Sequence, residues 1–544
     1  MKRIVLIVNL FAVLSLLLVA CKPPVREYNG LNHPSDTGWW NQAVFYEIFV
    51  RSFQDSDGDG NGDLAGILEK LDYLNDGDPE TGTDLGVTAL WLMPVFPSDS
   101  YHGYDVIDYK NIDPEYGTLA DFQALVAAAH ARGMRVILDL VINHTSFLHH
   151  WFVSSLDPFS PYRDWYLWSD EDPGGYYEDG RTVWHALGDD YYYGYFWSGM
   201  PDLNYNNEEV SSKMLDVARF WALDMGVDGF RIDAARYLIE NGEVISNTPE
   251  THAWFADFYA KLRAMKPDIY LVGEVWSNSQ EAAAYVTGRE LTQTFDFDLS
   301  TALLNSLNSR KAGSFTTVIS TDFPLFDHGN LGVFLTNHDM PRTMSQLGGD
   351  AAKARLGAFL LLTAPGTPYI YYGEEIGMQG QKPDEMIRTP MQWSGGETCG
   401  FGIARTWQAP NSDCGSVNIS VQQADAGSLW NAYRTLIQLR QSNSALSAGD
   451  YYTVQADDPA VYSALRVSRD QAILLVANLG LKDIASVGLD LDTGPLNGRY
   501  QLVPIYGAAQ ESQVIADSQG GFTLYDSIRG IGALQAVIFL LIPR

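Results

Sequence analysis

Four short stretches carry side chains suited to acid–base and nucleophilic chemistry. Asp139, Asn143 and His144 lie in "DLVINH", Arg231 and Asp233 in "GFRID", Glu274 in "GEVW", and His338 with Asp339 in "LTNHD". Arg231 and Asp233 stand two apart in an apolar run, so on a strand both point to the same side. A guanidinium beside a carboxylate keeps it ionised at neutral pH, the state that a nucleophile needs. Glu274 has Val275 and Trp276 alongside, and apolar neighbours raise a carboxyl's pKa toward proton donation. One carboxylate held charged and one held protonated is the pair that cleaves a glycosidic bond.

A fifth stretch, "DSDGDGNGD" (55–63), threads glycines between carboxylates. It reads as a calcium loop, because a hard cation takes several oxygen ligands and glycine lets the chain curl around it. An EF-hand is excluded. The twelfth loop position is Gly66 rather than Glu, and the preceding "AVFYEIFVRSF" has the aromatic and β-branched content of a strand.

Positioning such scattered groups needs a scaffold that brings strand ends together. From about Asn41, short apolar runs alternate with helix-like segments. The strand candidates are "VFYEIFV", "GVTALWLMP", "RVILDLVINH", "GVDGFRID", "IYLVGEVW", "TFDFD", "GVFLTNHD" and "TPYIYYGEE". Segments such as "LADFQALVAAAHARG" carry apolar residues at helical spacing. Eight β-then-α units predict a parallel (β/α)8 barrel, with a doubly wound open sheet as the competitor. In a barrel the reactive groups above sit at the C-terminal strand ends, on one mouth. Roughly 60 residues crowded with Trp, Tyr and Asp follow the third strand, and an insertion of that length is usually functional. Beyond a last helix near Leu429 to Gln441 the pattern becomes short alternating strands, an antiparallel β-sandwich. The expected division is a signal peptide at 1–20, a tether at 21–40, a barrel at 41–144 and 206–447, an inserted B domain at 145–205, and an all-β domain at 448–544.

The chain has 544 residues, 46% of them hydrophobic, and a formal net charge of −32. That charge argues against nucleic acid and anionic lipid, and favours a neutral polar substrate. The start, "MKRIVLIVNLFAVLSLLLVAC", has two basic residues, an apolar run and a small residue before Cys21, which predicts export. "LVAC" resembles the bacterial lipoprotein cleavage box, which makes Cys21 the lipidated residue; an uncleaved membrane anchor is the alternative. Export permits a disulfide between the remaining cysteines, Cys399 and Cys414.

"DLVINH", "GFRIDAARY", "GEVW" and "FLTNHD" resemble, in order, the four motifs of the α-amylase family of glycoside hydrolases. "MPDLN" (200–204), "GVTALWLMP", "YHGYDVIDY" (101–109) and "RTPMQW" (388–393) resemble further segments of that family. The resemblance implies a retaining mechanism, with Asp233 as nucleophile, Glu274 as acid/base about 5 Å away, and Asp339 holding the sugar's 2- and 3-hydroxyls. It further implies that His144, His338 and Arg231 bind the sugar, that Tyr104 stacks on it, and that Asp105 lies close by. It makes the aspartate loop structural, with a Ca2+ ion held by Asp55, Asp57, Asp59 and Asp63 side chains and the Asn61 carbonyl. Asn143 marks a possible second calcium site. Arg236-Tyr237 replaces the Lys-His pair that accompanies that site in many α-amylases and puts the site in question. "MPDLN" resembles the group intermediate between oligo-1,6-glucosidases and neopullulanases, and the small Ala234 after the nucleophile favours α-1,4 linkages. The expected protein is a monomeric, lipid-tethered α-amylase on the cell envelope acting on starch or maltodextrin. An oligo-1,6-glucosidase or α-glucosidase, a maltogenic transglycosylating enzyme, and a non-catalytic starch-binding protein are the alternatives.

Overall fold

The computed structural model describes residues 38–175, 180–326, 329–403 and 405–544. The leader, Cys21 and most of the tether lie outside the described residues. Eight parallel strands close a barrel: β1 (Phe45–Ile48), β2 (Ala89–Leu92), β3 (Arg135–Leu140), β4 (Gly229–Ile232), β5 (Tyr270–Gly273), β6 (Gln293–Phe295), β7 (Leu331–Phe334) and β8 (Thr367–Tyr371). Each pairs with its neighbours in chain order. β1 hydrogen-bonds to β2 on one side and to β8 on the other, with Phe45 opposite Ala89 and Tyr369. That closing pair excludes the open doubly wound sheet.

The strands lie where the sequence places them, but they end within or before their motifs: Asp139 and Arg231 are on strands, and the later motif residues are not. β3 ends at Leu140, before Asn143 and His144, and β7 ends at Phe334, before His338. Past those points the backbone turns to other partners, as when Leu203 donates to the Asn143 carbonyl. Asn143, His144, Asp233, Glu274, His338 and Asp339 therefore belong to loops held at strand ends, where side chains can leave the strand's two-residue alternation.

The barrel interior is layered, as strand periodicity requires. Phe45, Trp91, Tyr270, Phe295, Phe334 and Tyr369 fill the lower part and are all buried. Phe45 stacks on Tyr369 with ring centroids 4.5 Å apart. Gly332 makes room for this packing, since a Cβ there would lie 3.0 Å from the Phe295 ring and 3.1 Å from the Tyr369 ring. One alternation further toward the C-terminal ends, the inward positions of β1, β3 and β4 are Glu47, Asp139 and Arg231, and chemistry replaces packing.

The excursion after β3 carries a short helix (His150–Ser155) and a three-stranded antiparallel sheet of Trp168–Ser169, Trp184–Leu187 and Asp190–Tyr193. Antiparallel bridges between His144 and Asp202, and between Tyr166 and Leu203, close it at its base. Most of its aromatics pack inward, among them Trp165, Tyr166, Tyr192 and Tyr195. After the helix Leu429–Ser442 the chain forms a six-stranded and a three-stranded antiparallel sheet around a separate apolar core. Cys399 and Cys414 form a disulfide in the segment after β8. No helix among the described residues is long and apolar enough to cross a membrane.

Candidate active site

The mouth of the barrel is organised around one guanidinium. Arg231 is 1% exposed. Its NH1 donates to Asp139 Oδ1 at 2.9 Å and to Asp233 Oδ1 at 2.6 Å, while NH2 lies 2.9 Å from Glu274 Oε2. Asp139 is fully buried beneath this group and also accepts from Trp91 Nε1 (3.3 Å) and the Tyr104 hydroxyl (3.0 Å). Ala234 follows Asp233 in the left-handed region, at φ 49°. This turn aims its amide at Glu274 Oε2, 3.1 Å away. A β-branched residue would be strained at that φ.

A second cationic group holds Asp339. Arg388 NH2 donates to Asp339 Oδ1 at 2.8 Å, and its Nε donates to the His338 carbonyl at 3.0 Å. His338 Nε2 lies 3.1 Å from Asp339 Oδ2 and 2.7 Å from the Tyr104 hydroxyl, and the Tyr104 ring stacks over the imidazole. On the far side, His338 Nδ1 is 2.5 Å from Glu47 Oε1.

Burial dominates the electrostatics. It lifts the Asp233 carboxyl, helped by Asp139 and Asp339 and opposed by Arg231, up to about 6. Burial also raises Glu274, with Arg231 opposing it and the charges of Asp233 and Asp339 adding to it. Burial would raise Asp339 as well, but His338 and Arg388 hold it well below the usual carboxylate range. Burial lowers His144 to about 4, so its imidazole is neutral. Arg231 serves Glu274 as well as Asp233, which the sequence did not show. The rise at Glu274 comes first from burial, as its apolar neighbours predict, with carboxylate crowding adding to it. Trp276 is half exposed and stacks on Phe297 at 4.5 Å. Six carboxyl groups (Glu47, Asp139, Asp233, Glu274, Asp339, Asp384) pair with three cations (Arg231, His338, Arg388). An enclosed excess of negative charge favours retaining a proton, and of the cavity-facing carboxyls Glu274 and Asp233 are the ones whose proton affinity is raised.

That cavity has a volume of about 400 Å3. Tyr104, His144, Asp233, Ala234, Glu274, Asp339 and Arg388 line it, together with Trp197 and Met200 from the inserted segment and Trp276. Arg231 and His338 stand behind the wall, in contact with the carboxylates. Asp105 is not part of the wall: it is buried and turned away, accepting from the hydroxyls of Ser98 and Ser100. Sequence reasoning passed over Glu47 and Arg388 as site residues. Glu47 is the lone charge in an apolar strand, and Arg388 opens "RTPMQW", so a signal existed for each.

The aspartate loop follows β1 and a short turn, and leads into the helix Leu64–Glu69, which Asp63 caps by accepting from the Gly66 amide at 2.7 Å. Carboxylate oxygens of Asp55, Asp57 and Asp63 lie within 4.8 Å of one another, a spacing that fits a hard cation. Asp59 lies outside this group of three, its Oδ1 accepting from the Asn61 amide at 2.7 Å. Asn61 gives its side-chain oxygen to Arg51 at 2.7 Å, leaving its carbonyl. The segment carrying the disulfide braces the loop. Phe401 accepts from the Asp55 amide, and Trp407 donates to the Gly60 carbonyl. Trp407 also stacks on Tyr101, whose hydroxyl is 3.5 Å from Arg388 NH1. Asn143 donates to Asp202 Oδ2 at 3.0 Å at the base of the inserted segment.

Residues 47–449 match the family model described as alpha amylase, catalytic domain. The chain is 41% identical over 458 residues to alpha-amylase 3 of Dictyoglomus thermophilum, covering 83% of this chain and 86% of that one. It is 32% identical over 521 residues to the oligo-1,6-glucosidase of Parageobacillus thermoglucosidasius, covering 82% and 91%. The crystal structure of an alpha-amylase from H. orenii superposes with a TM-score of 0.80 at 40% identity, over 92% of this chain and 99% of that one. A closed barrel whose mouth gathers three cavity-facing carboxylates, found in a chain this similar over most of its length, belongs to the α-amylase family of glycoside hydrolases.

Proposed function

We propose that this glycoside hydrolase is a retaining α-amylase that cleaves α-1,4-glucosidic bonds in starch and maltodextrins. The observation that carries the reading is the shared guanidinium, because Arg231 holds an oxygen of Asp233 and of Glu274 at one place on the cavity wall. In the first step Asp233 attacks the anomeric carbon while the Glu274 acid gives its proton to the departing glycosidic oxygen. A covalent glycosyl ester forms and the C–O bond to the leaving sugar breaks. In the second step Glu274, now a carboxylate, takes a proton from water, and the resulting hydroxide displaces Asp233. Asp339, held charged, accepts hydrogen bonds from the sugar's hydroxyls beside His338 and His144. Trp197 and Trp276 offer exposed ring faces on which sugars stack.

The likeness to an oligo-1,6-glucosidase supports a second reading, α-1,6 cleavage of short glucans. Ala234 supports the first, since a small side chain at φ 49° leaves the wall beside the nucleophile open. Product analysis on soluble starch, pullulan and isomaltose separates the two. Faster turnover of isomaltose than of maltotetraose overturns the α-1,4 reading. Asp233→Asn is expected to abolish release of reducing ends, and full activity in that variant overturns the nucleophile assignment.

Asp55, Asp57 and Asp63, with the Asn61 carbonyl, would hold a Ca2+ ion that pins the start of the barrel without entering the reaction. The leader and Cys21 support export and lipid attachment to the cell envelope, which suits an enzyme whose polymeric substrate stays outside. Incorporation of labelled palmitate that is lost in Cys21→Ser tests the tether.

A further inference from the structure

Glu47 is the charge that β1 carries into the floor of the site, and it is 1% exposed. Its Oε1 is 2.5 Å from His338 Nδ1. On the other edge of the ring, Nε2 is 3.1 Å from Asp339 Oδ2. The Tyr104 hydroxyl, 2.7 Å from Nε2, spends its own hydrogen on Asp139 Oδ2 and so accepts from the ring; with carboxylate oxygens, which only accept, at Nδ1 and beside Nε2, the ring carries a hydrogen on both nitrogens. We propose that Glu47 is a positioning residue for the glycosidase reaction: from the first strand it keeps His338 an imidazolium, with the Nε2 edge turned to the Tyr104 hydroxyl and Asp339. This rests on the reading that Asp339 receives the sugar as a carboxylate. His338 then acts as a buried counter-charge, and Glu47 sets how far into alkali it persists.

The groups facing this ring come from most of the barrel. Asp139 comes from β3, Arg231 from β4, the Tyr104 hydroxyl from the loop after β2, Tyr371 from β8 beside Glu47, and Arg388 from the segment beyond. Asp339 itself follows His338 in the chain. Burial works against a charged imidazole here, and Asp339 and Glu47 overcome it, raising His338 to about 10. Without the Glu47 charge, the desolvated ring keeps Asp339 as its contacting anion and still faces two guanidiniums.

Glu47→Gln tests the idea, because the amide oxygen can accept from Nδ1–H with the same shape and no charge. The alkaline limb of kcat/KM on maltotetraose is expected to move acidward by about one pH unit or more, as loss of a contacting opposite charge requires. Glu47→Asp keeps the charge and is expected to restore the wild-type limb even if its rate is lower. An alkaline limb in Glu47→Gln that coincides with wild type overturns the proposal. A second readout needs no activity: 15N-imidazole spectra recorded from pH 8.5 upward, assigned with His338→Gln, should show a doubly protonated His338 at pH 8.5 in wild type, and its second proton should be lost about one pH unit or more lower in Glu47→Gln. A neutral His338 in wild type at that pH overturns the proposal even if Glu47→Gln fails to fold. A charged His338 in a protein that hydrolyses no α-glucan would sink the functional reading and leave the role of Glu47 intact.

Discussion

Two carboxylate clusters sit on the same side of this barrel and are neutralised in opposite ways. In the aspartate loop, backbone amides do the work: Asp55 accepts from Gly58 and Gly60, and Asp63 from Ser56 and Gly66. At the mouth, Asp233, Glu274 and Asp339 lean on two guanidiniums and an imidazole supplied by distant parts of the chain. Amide dipoles come with the local turn and leave the oxygens' remaining lone pairs free for a cation. Buried side-chain cations are expensive to assemble and compete with one another, so each carboxylate's proton affinity becomes separately adjustable. On the proposed reading, one cluster receives a charge and the other moves a proton.

The largest expected effect strikes at that difference. Arg231→Lys keeps the charge but cannot hold Asp139, Asp233 and Glu274 with one planar fork, and the rate should fall on the order of 10^3-fold. A change under tenfold in steady-state kinetics would mean that geometry at Arg231 is dispensable. Next, removing calcium with a chelator should lower the thermal midpoint. Free calcium at about 100 times Kd stabilises by about 2.7 kcal/mol. Differential scanning calorimetry showing no shift with either chelator or added calcium would count against the loop as a receptor. Third, the acid limb of kcat/KM should lie near pH 6, with activity falling about tenfold per unit below it. Asp233 binds its proton more tightly folded than unfolded. Its stabilising contribution is therefore complete below about pH 3.9, its unfolded value, and is lost as pH rises through about 6. A limb near pH 4 would show that Arg231 outweighs burial. The smallest effect should come from Asp59→Asn, which lies outside the ligand group. Calcium affinity by isothermal titration should barely move and stability should change by less than about 0.5 kcal/mol, whereas Asp55→Asn should weaken binding strongly.

The same contrast explains what could be read from sequence. The strands were legible because each is a short apolar run ending in a polar motif, and Arg231 with Asp233 follows from two-residue alternation alone. Partners brought from afar were not. Glu47 and His338 are 291 positions apart, and Arg388 meets Asp339 only because the segment after β8 folds back over the mouth. Within short loops the orientations of side chains were not legible. Asp105 turns to the hydroxyls of Ser98 and Ser100, and Asp59 turns to its own loop's amide. A carboxylate's nearest donor decides such cases, and spacing does not specify it.

The closing pair of strands also dictates when the enzyme can exist during its own synthesis. Its working groups run from Glu47 to Arg388, and β1 finds its second partner only once β8 has been made. Domains made on the ribosome tend to fold as units from the N-terminus, but here no N-terminal fragment holds a finished mouth. The chain is chemically silent until its last barrel strand is in place, and the seam between first and last strands is the step at which a polypeptide becomes a hydrolase.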